Sequence, residues 1–252
     1  MDIPVRTPVL DAAIKQAEGG TPAHNALVTA RQIHWRRSQV FYDRKKDAGQ
    51  LTRESPTTAA FCFDFWKNFS VPNISTNDVY YKRQLSLYTF DCHDLESDHD
   101  LFSYDQTVGK KGSTDLVSML NILVKSIPLR VKDLHFFCDS SAGQNKNWLM
   151  FRYLYHLVHI KKRFSNMHVT FLIRGLSYME CDRDTGRDKM TLKAEVPADW
   201  MRYFREAQKD PRPFIVEQPG REDFFNYEHE LGPLFFAEDK DDQDARDFIN
   251  VY

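Results

Sequence analysis

The chain has 252 residues, is 42% hydrophobic and 28% charged, and carries a formal net charge of −2. This composition excludes a disordered chain, and the length predicts one globular domain or one domain with an appended segment. No apolar run reaches the length of a membrane span, and the N-terminal residues lack the apolar core of a secretory signal. We therefore expect an intracellular protein, nuclear or cytoplasmic, without a membrane partner.

The N-terminal segment, residues 1–54, is predicted to be helical and to act as an appended helix or linker outside the core. A short helix is expected over residues 9–20. Thr21-Pro22 is a typical start for a second helix, with Thr as the N-cap and Pro in the first position. This helix is predicted to end near Asp47, and residues 49–56 are predicted to form a loop.

The second predicted helix is basic: seven Lys and Arg residues lie between positions 31 and 53, against two acidic residues. A cluster of this kind can meet phosphate groups, which makes it a candidate DNA-binding surface. A solvated helix face is the alternative, and the near-neutral net charge is unlike that of a dedicated nucleic-acid-binding domain. The candidate DNA contacts in this segment are Arg36, Arg37, Lys45 and Lys46.

Three strands are predicted after this segment. Phe61–Phe65 is a short apolar run with one aspartate, residues 79–90 form a long aromatic and partly alternating run, and Leu101–Val108 is the third. A turn is expected at residues 74–78. Because only short links separate these strands, we expect them to pair antiparallel.

Two crossover units are predicted next. Apolar residues at helical spacing from Leu116 to Ile127 predict a helix that Gly112-Ser113 opens and Pro128 ends. The remaining predicted elements are a strand at residues 133–138, a helix at 145–162 that is apolar nearly all round and so buried, a strand at 168–173, a polar helical segment from about Tyr178, and a helix at 197–209.

The predicted order is β-β-β-α-β-α-β-α, which is an α/β domain with three antiparallel strands followed by two parallel strands. Crossovers of this length require parallel strands and right-handed connections. This is the order of the RNase H-like fold, a mixed sheet flanked by helices. We expect the core to span residues 55–218, followed by an acidic C-terminal extension over residues 219–252 that is solvated or mobile.

Aspartates occur at three strand-linked positions. Asp64 lies on the first predicted strand, Asp139 ends the fourth, and Asp182 or Asp184 begins the segment after the fifth. In the RNase H-like order these positions meet at one edge of the sheet, which predicts a site for Mg²⁺ or Mn²⁺, ions that take oxygen ligands. Two such ions roughly 4 Å apart need several carboxylates.

We expect Asp64 to bridge both ions, Asp139 to ligate one, and Asp182 to complete the set. Asp184 and Glu180 compete for the third position. For Asp64 the alternative is a structural role, as an N-cap or turn aspartate. Three of the four cysteines lie beside these acids: Cys62, Cys138 and Cys181, with Cys92 the fourth. No CxxC pair is present, and we expect the cysteines to be small buried residues of the strands.

A polar block follows Asp139: Ser140-Ser141-Ala142-Gly143-Gln144-Asn145-Lys146-Asn147. Its amides Gln144, Asn145 and Asn147 could orient a phosphate or a ligand, or could equally cap the helix that follows. The block lacks the Gly-Lys-Ser/Thr ending of a phosphate-binding loop, and the chain has no G-x-G-x-x-G, so no nucleotide cofactor is expected.

With these residues the chain resembles a transposon-derived family, widespread in animal genomes, that has an RNase H-like domain. The similarity covers about residues 58–218. The matching blocks are Tyr80-Tyr81-Lys82-Arg83-Gln84-Leu85 with Leu87-Tyr88, Tyr104-Asp105-Gln106-Thr107, Cys138-Asp139 through Asn147, and Arg174-Gly175-Leu176-Ser177-Tyr178 with Cys181-Asp182-Arg183-Asp184. The D-x-x-x-G-Q-N-K-N and C-D-R-D blocks in this order are the most specific part.

The resemblance implies a DDE/D transposase-like nuclease core that uses Mg²⁺ or Mn²⁺ to cleave DNA or to transfer strands. DNA is the implied partner, with further contacts at Lys146, Arg174 and Arg183. Transposases often work as assemblies, so the resemblance also implies a homo-oligomer. The reaction would be an in-line attack on a phosphodiester.

Two departures from the family pattern favour an alternative function. Leu176 stands where family members usually have a histidine. Family members also usually carry a Cys/His-rich DNA-binding region upstream, whereas residues 1–50 of this chain contain only His24 and His34 and no cysteine. A domesticated, catalytically inactive protein that binds a protein or nucleic acid would fit both. A small-molecule α/β enzyme is a third possibility without a cofactor fingerprint to support it.

Overall fold

The computed structural model describes residues 7–73, 83–96, 99–172, 181, 193–208 and 212–235. The helices are α1 (Thr7–Gln16), α2 (Pro22–Glu54), α3 (Ser113–Ser126), α4 (Trp148–Tyr155), α5 (Pro197–Ala207) and α6 (Tyr227–Phe235), with a π-helical turn at His156–Ile160 and a 3₁₀ turn at Arg221–Asp223. The strands are β1 (Thr58–Phe65), β2 (Phe69–Val71), β3 (Leu85–Asp94), β4 (His99–Asp105), β5 (Asp133–Cys138), β6 (Asn166–Phe171) and β7 (Ile215–Glu217).

The strands form one mixed sheet in the order β6-β5-β1-β3-β4-β7, with β2 paired to β3. β1 and β4 each pair antiparallel with β3, whereas β5 pairs parallel with both β1 and β6. This confirms the predicted α/β class with a mixed sheet flanked by helices. The short strands β2 and β7 were not predicted; β7 extends the sheet by pairing parallel with β4.

The main core lies between one face of the sheet and the helices α3, α4 and α6. Phe63 and Phe90 of β1 and β3, together with Phe136 of β5, are fully buried on this face. Each helix contributes an apolar stripe at helical spacing; α3 supplies Leu116 and Leu120, whose exposure is 0%. The helix α3 and the strand Asp133–Cys138 therefore form where the apolar spacing predicts them.

On the opposite face of the sheet α2 covers β1 and β5, so the prediction of an appended linker helix is wrong for its C-terminal half. Phe41 is 2% exposed and its ring packs edge-on against Phe137 of β5, with 5.7 Å between ring centroids. The helix also continues to Glu54, through the loop predicted for residues 49–56. Thr21 caps its start, as predicted, by accepting a hydrogen bond from the His24 N–H at 3.2 Å.

Part of the acidic C-terminal region packs on the core instead of lying in solvent. Tyr227 and Leu231 of α6 are 7% and 3% exposed and belong to the main core. The sequence pattern hides this helix because its exposed face is acidic. The predicted turn at residues 74–78 and the helical segment predicted from Tyr178 lie outside the described residues. None of the helices described is both long and apolar enough to span a bilayer.

Candidate metal and phosphodiester site

Asp64 and Asp139 occupy matching positions on two neighbouring parallel strands. Phe63 of β1 pairs with Cys138 of β5. The residues that follow them, Asp64 and Asp139, therefore lie at the same level of the sheet. Neighbouring strands lie about 4.8 Å apart, which brings the backbones of these two partly buried residues side by side. Burial, and then the charges of Asp139 and Asp64, raise the pKa of the Cys138 thiol well above its ordinary value. The strand pairing therefore places Asp64 and Asp139 at the same end of neighbouring strands.

A further carboxylate, Asp91 of β3, lies opposite Asp64 and was missed by the sequence reasoning. The two residues are register partners in the antiparallel pair of β1 and β3, so their side chains share a face. Asp91 is 0% exposed, and its Oδ2 accepts a hydrogen bond from the Trp66 Nε1–H at 3.0 Å. A signal was available: Phe90-Asp91-Cys92, like Phe63-Asp64-Phe65, is an apolar strand run interrupted by one acid.

Asp139 is held in place by the polar block that follows it. Its Oδ1 accepts the backbone N–H of Ser141 at 3.0 Å and also the side-chain amide of Asn145. Asn145 is 1% exposed, so its amide is fixed by burial. Asp139 thus has a structural role in the turn after β5, and its side chain is only partly buried.

The other amides of this block have separate structural roles. Asn147 is the N-cap of α4, since its Oδ1 accepts the Met150 N–H at 3.0 Å; the capping alternative is confirmed for this residue. Gln144 caps no helix; its Nε2 donates to the backbone carbonyl of Lys111 at 3.2 Å. The ammonium of Lys146 lies 5.4 Å from the centre of the Phe171 ring.

Lys111, which the sequence reasoning did not single out, reaches the same end of β1 from the turn before α3. Its Nζ donates to the Trp66 carbonyl and to Asn68 Oδ1, both at 2.7 Å. Burial lowers the pKa of Lys111 from its ordinary value, and the charge of Asp64 acts in the opposite direction. A positive charge therefore lies close to the carboxylates.

The third predicted acid, Asp182 or its alternative Asp184, lies outside the described residues, as do Arg174 and Arg183. The residue before Asp182 is described: the Cys181 thiol contacts the carbonyl oxygens of Cys62 at 3.7 Å and Asp91 at 3.9 Å. All four cysteines are buried and unbridged, as expected. Over the described ranges, no group of three or more His, Cys, Asp and Glu side chains is arranged to hold a metal ion.

Four of the basic residues predicted to contact DNA lie on α2. Arg36, Arg37 and Lys46 are exposed, whereas Lys45 is partly buried, with its Nζ 5.5 Å from the centre of the Tyr42 ring. The surface is therefore accessible, as a DNA-binding surface requires, but a solvated helix face would look the same.

Comparison of the chain with protein-family models, with curated proteins and with solved structures gave no match. The chemistry of the site is therefore inferred from its own residues.

Proposed function

We propose that this chain is an RNase H-like domain that cleaves DNA phosphodiesters, or transfers DNA strands, with Mg²⁺ or Mn²⁺ as cofactor. The observation that carries the proposal is the side-by-side position of Asp64 and Asp139 at the carboxyl ends of β1 and β5. Open α/β sheets bind their ligands at this edge.

The strand order supports the fold part of the proposal. The five strands β4-β3-β1-β5-β6 comprise three antiparallel neighbours followed by two parallel ones, which is the predicted RNase H-like order. The helix α3 lies between β4 and β5, and α4 lies between β5 and β6, as the two crossovers require. The strands β2 and β7 would be additions to this core.

The donor set fits a hard divalent cation. Asp64 and Asp139 offer carboxylate oxygens, and Mg²⁺ keeps several waters when it binds, so few protein ligands suffice. Asp182, the residue after the buried Cys181, is the proposed third ligand, with Asp184 as its alternative. When bound, such ions activate an attacking water or 3′-hydroxyl and stabilise the leaving oxygen. The role of Asn145 would be to hold the Asp139 carboxylate in one orientation.

The path of α2 supports the DNA-binding part of the proposal. Near its C-terminus, Gly49 lies beside Leu95, whose N–H donates to Ala60 early in β1. About two turns earlier, Phe41 contacts Phe137, which is level with Cys62, two residues further along β1 than Ala60. Toward its N-terminus the helix therefore runs in the direction of the Asp64 end of the sheet. The exposed Arg36 and Arg37, about one turn before Phe41, would bind phosphates there.

Two measurements test this function on the full chain: thermal melting against Mg²⁺ or Mn²⁺ concentration, and nicking of supercoiled plasmid DNA with the same ions. The variants are Asp64→Asn and Asp139→Asn, which keep the side-chain shape and remove one charge. Asp133→Asn is the matched control, because Asp133 begins β5 at the opposite edge of the sheet, where it accepts a hydrogen bond from Asn166.

We expect the cations to raise the melting temperature of the wild type and of Asp133→Asn, and both proteins to nick DNA. Asp64→Asn and Asp139→Asn should lose both responses. A wild-type protein without a cation-dependent shift and without nicking would refute the catalytic function. That result would favour a catalytically inactive nucleic-acid-binding module. One observation supports this alternative: the ammonium of Lys111 lies near Asp64 and already supplies positive charge to the carboxylates.

A further inference from the structure

Lys111 is held in a strained backbone conformation that brings its side chain to the carboxylate edge. Its φ of 60° lies in the left-handed region, which costs a non-glycine residue about 1 kcal/mol or more. The next residue, Gly112, is glycine and has an extended φ of −103°. A sequence without a use for Lys111 could place the glycine one position earlier and avoid this strain.

Two side chains from different elements fix this conformation. The buried Asp115 of α3 accepts the backbone N–H groups of Lys110 at 2.6 Å and of Lys111 at 2.7 Å, and also the Tyr104 hydroxyl at 3.0 Å. On the other side, Gln144 donates to the Lys111 carbonyl. Gln144 belongs to the block that holds Asp139, so the lysine and the carboxylate are positioned by one connected set of hydrogen bonds.

The ammonium keeps one donor that its partners in the structure do not use. In the described portion of the chain it donates to two oxygens, those of Trp66 and Asn68, and lies 5.5 Å from the centre of the Phe65 ring, whereas an ammonium has three N–H donors. The side chain is only partly buried, so the third donor can reach a ligand at the edge. Lysine binds phosphate as a compact point charge, and such charges stabilise phosphoryl groups as negative charge develops on them.

We propose that Lys111 binds a non-bridging phosphate oxygen of the DNA backbone at the edge formed by Asp64 and Asp139. This inference rests on the proposed function, since it takes the same DNA as ligand. It assigns to Gln144 and Asp115 the task of positioning Lys111. The lysine itself contacts the substrate. It neutralises the negative charge of the phosphate, which the two carboxylates would otherwise repel.

The test is the salt dependence of DNA binding without divalent ions, measured by the fluorescence anisotropy of a fluorescein-labelled double-stranded oligonucleotide. The variant is Lys111→Asn, because asparagine tolerates the left-handed conformation and the fold should be kept. Lys110→Asn is the matched control: its residue is the exposed neighbour whose N–H has the same acceptor, Asp115. Lys111→Arg retains the charge, and thermal melting checks that all variants are folded.

We expect Lys111→Asn to weaken binding and to reduce the slope of log affinity against log salt by about 1, the value for one phosphate contact. Lys111→Arg should keep the wild-type slope, and Lys110→Asn should change the slope less than Lys111→Asn does. An unchanged slope in Lys111→Asn, or a wild-type protein that does not bind the oligonucleotide, would overturn the inference. Plasmid nicking by the wild type is read separately, so loss of the lysine contact and loss of catalysis are distinguishable.

Discussion

Asp64 and Asp91 face each other as register partners on β1 and β3, and the side chain of Asp91 is completely buried. Like charges directly opposite each other destabilise a sheet, and a buried carboxylate requires hydrogen bonds to offset its lost hydration. Two acids on paired strands, one of them completely buried, therefore oppose stability. Places where a sequence departs from the rules of stable packing are where functional sites are expected.

The first prediction concerns the indole that donates to Asp91. Trp66→Phe should cost about 1–2 kcal/mol more unfolding free energy than Trp200→Phe, because it removes a donor from a completely buried carboxyl oxygen, whereas Ser70, the acceptor of Trp200, is exposed to water. The two tryptophans are a matched pair: both are 2% exposed in one aromatic cluster, and Trp200 donates to the neutral Ser70 carbonyl at 3.0 Å. Urea unfolding of both variants measures the difference. Equal losses would mean that the bond to Asp91 contributes no more than a neutral one.

The second prediction separates two asparagines of one block. Asn145→Ala should raise the Mg²⁺ concentration at the midpoint of the thermal-shift titration by about 10- to 100-fold, as loss of an outer partner of a metal ligand does. Asn147→Ala should leave that midpoint unchanged and cost about 1 kcal/mol of stability, the usual value for an N-cap. If both variants shift the midpoint alike, the effect comes from α4 and not from Asp139.

The central elements could be predicted because a few neighbouring residues in each indicate both its secondary structure and its burial. Asp133–Cys138 was predicted with its observed limits, and Asp139 follows it at the strand end, where the sequence order expects a ligand. Asp91 was missed because the second strand was predicted to stop at Phe90, directly before the buried Asp91 and Cys92. The contact between Gln144 and Lys111 spans 33 positions and has no local signal.

The end of α2 was mispredicted for a different reason. Gly49 and Thr52 are buried where the helix crosses the sheet, and small residues are favoured at such close contacts. In the sequence, the same small and polar residues are typical of a loop. Packing against the sheet decides between a helix and a loop here, and the local sequence pattern does not reveal that packing.

The third prediction tests whether α2 belongs to the domain. Phe41→Ala should cost about 3–5 kcal/mol, since it removes a buried ring that packs against Phe137. Val40→Ala, at the adjacent residue with 50% exposure, should change stability by less than about 0.5 kcal/mol. Chemical unfolding monitored by circular dichroism compares the two. A small loss in Phe41→Ala would show that α2 is an independent appendage after all.

The last prediction concerns pH and the stacked rings of His135 and His168, whose centroids are 4.6 Å apart on the neighbouring strands β5 and β6. Burial lowers the pKa of His135 below its ordinary value; His168 acts in the same direction and Asp133 in the opposite one. The rings line a cavity of about 740 Å³, to which α2 contributes Arg44 and Asp47. The local charges that face His135 are thus of both signs, and burial has the largest effect.

The sign of the pH effect follows from this shift. Because the pKa of His135 is lower in the folded protein than in the unfolded chain, the unfolded chain binds the proton first as the pH falls below about 6.5, and stability is lost in that direction. His135→Phe keeps an aromatic ring and cannot titrate, so it should lose less unfolding free energy than the wild type between about pH 8 and pH 5. Urea unfolding at both pH values measures this; the difference at the higher pH gives the packing effect alone. Equal losses in wild type and variant would assign the acid sensitivity to other groups.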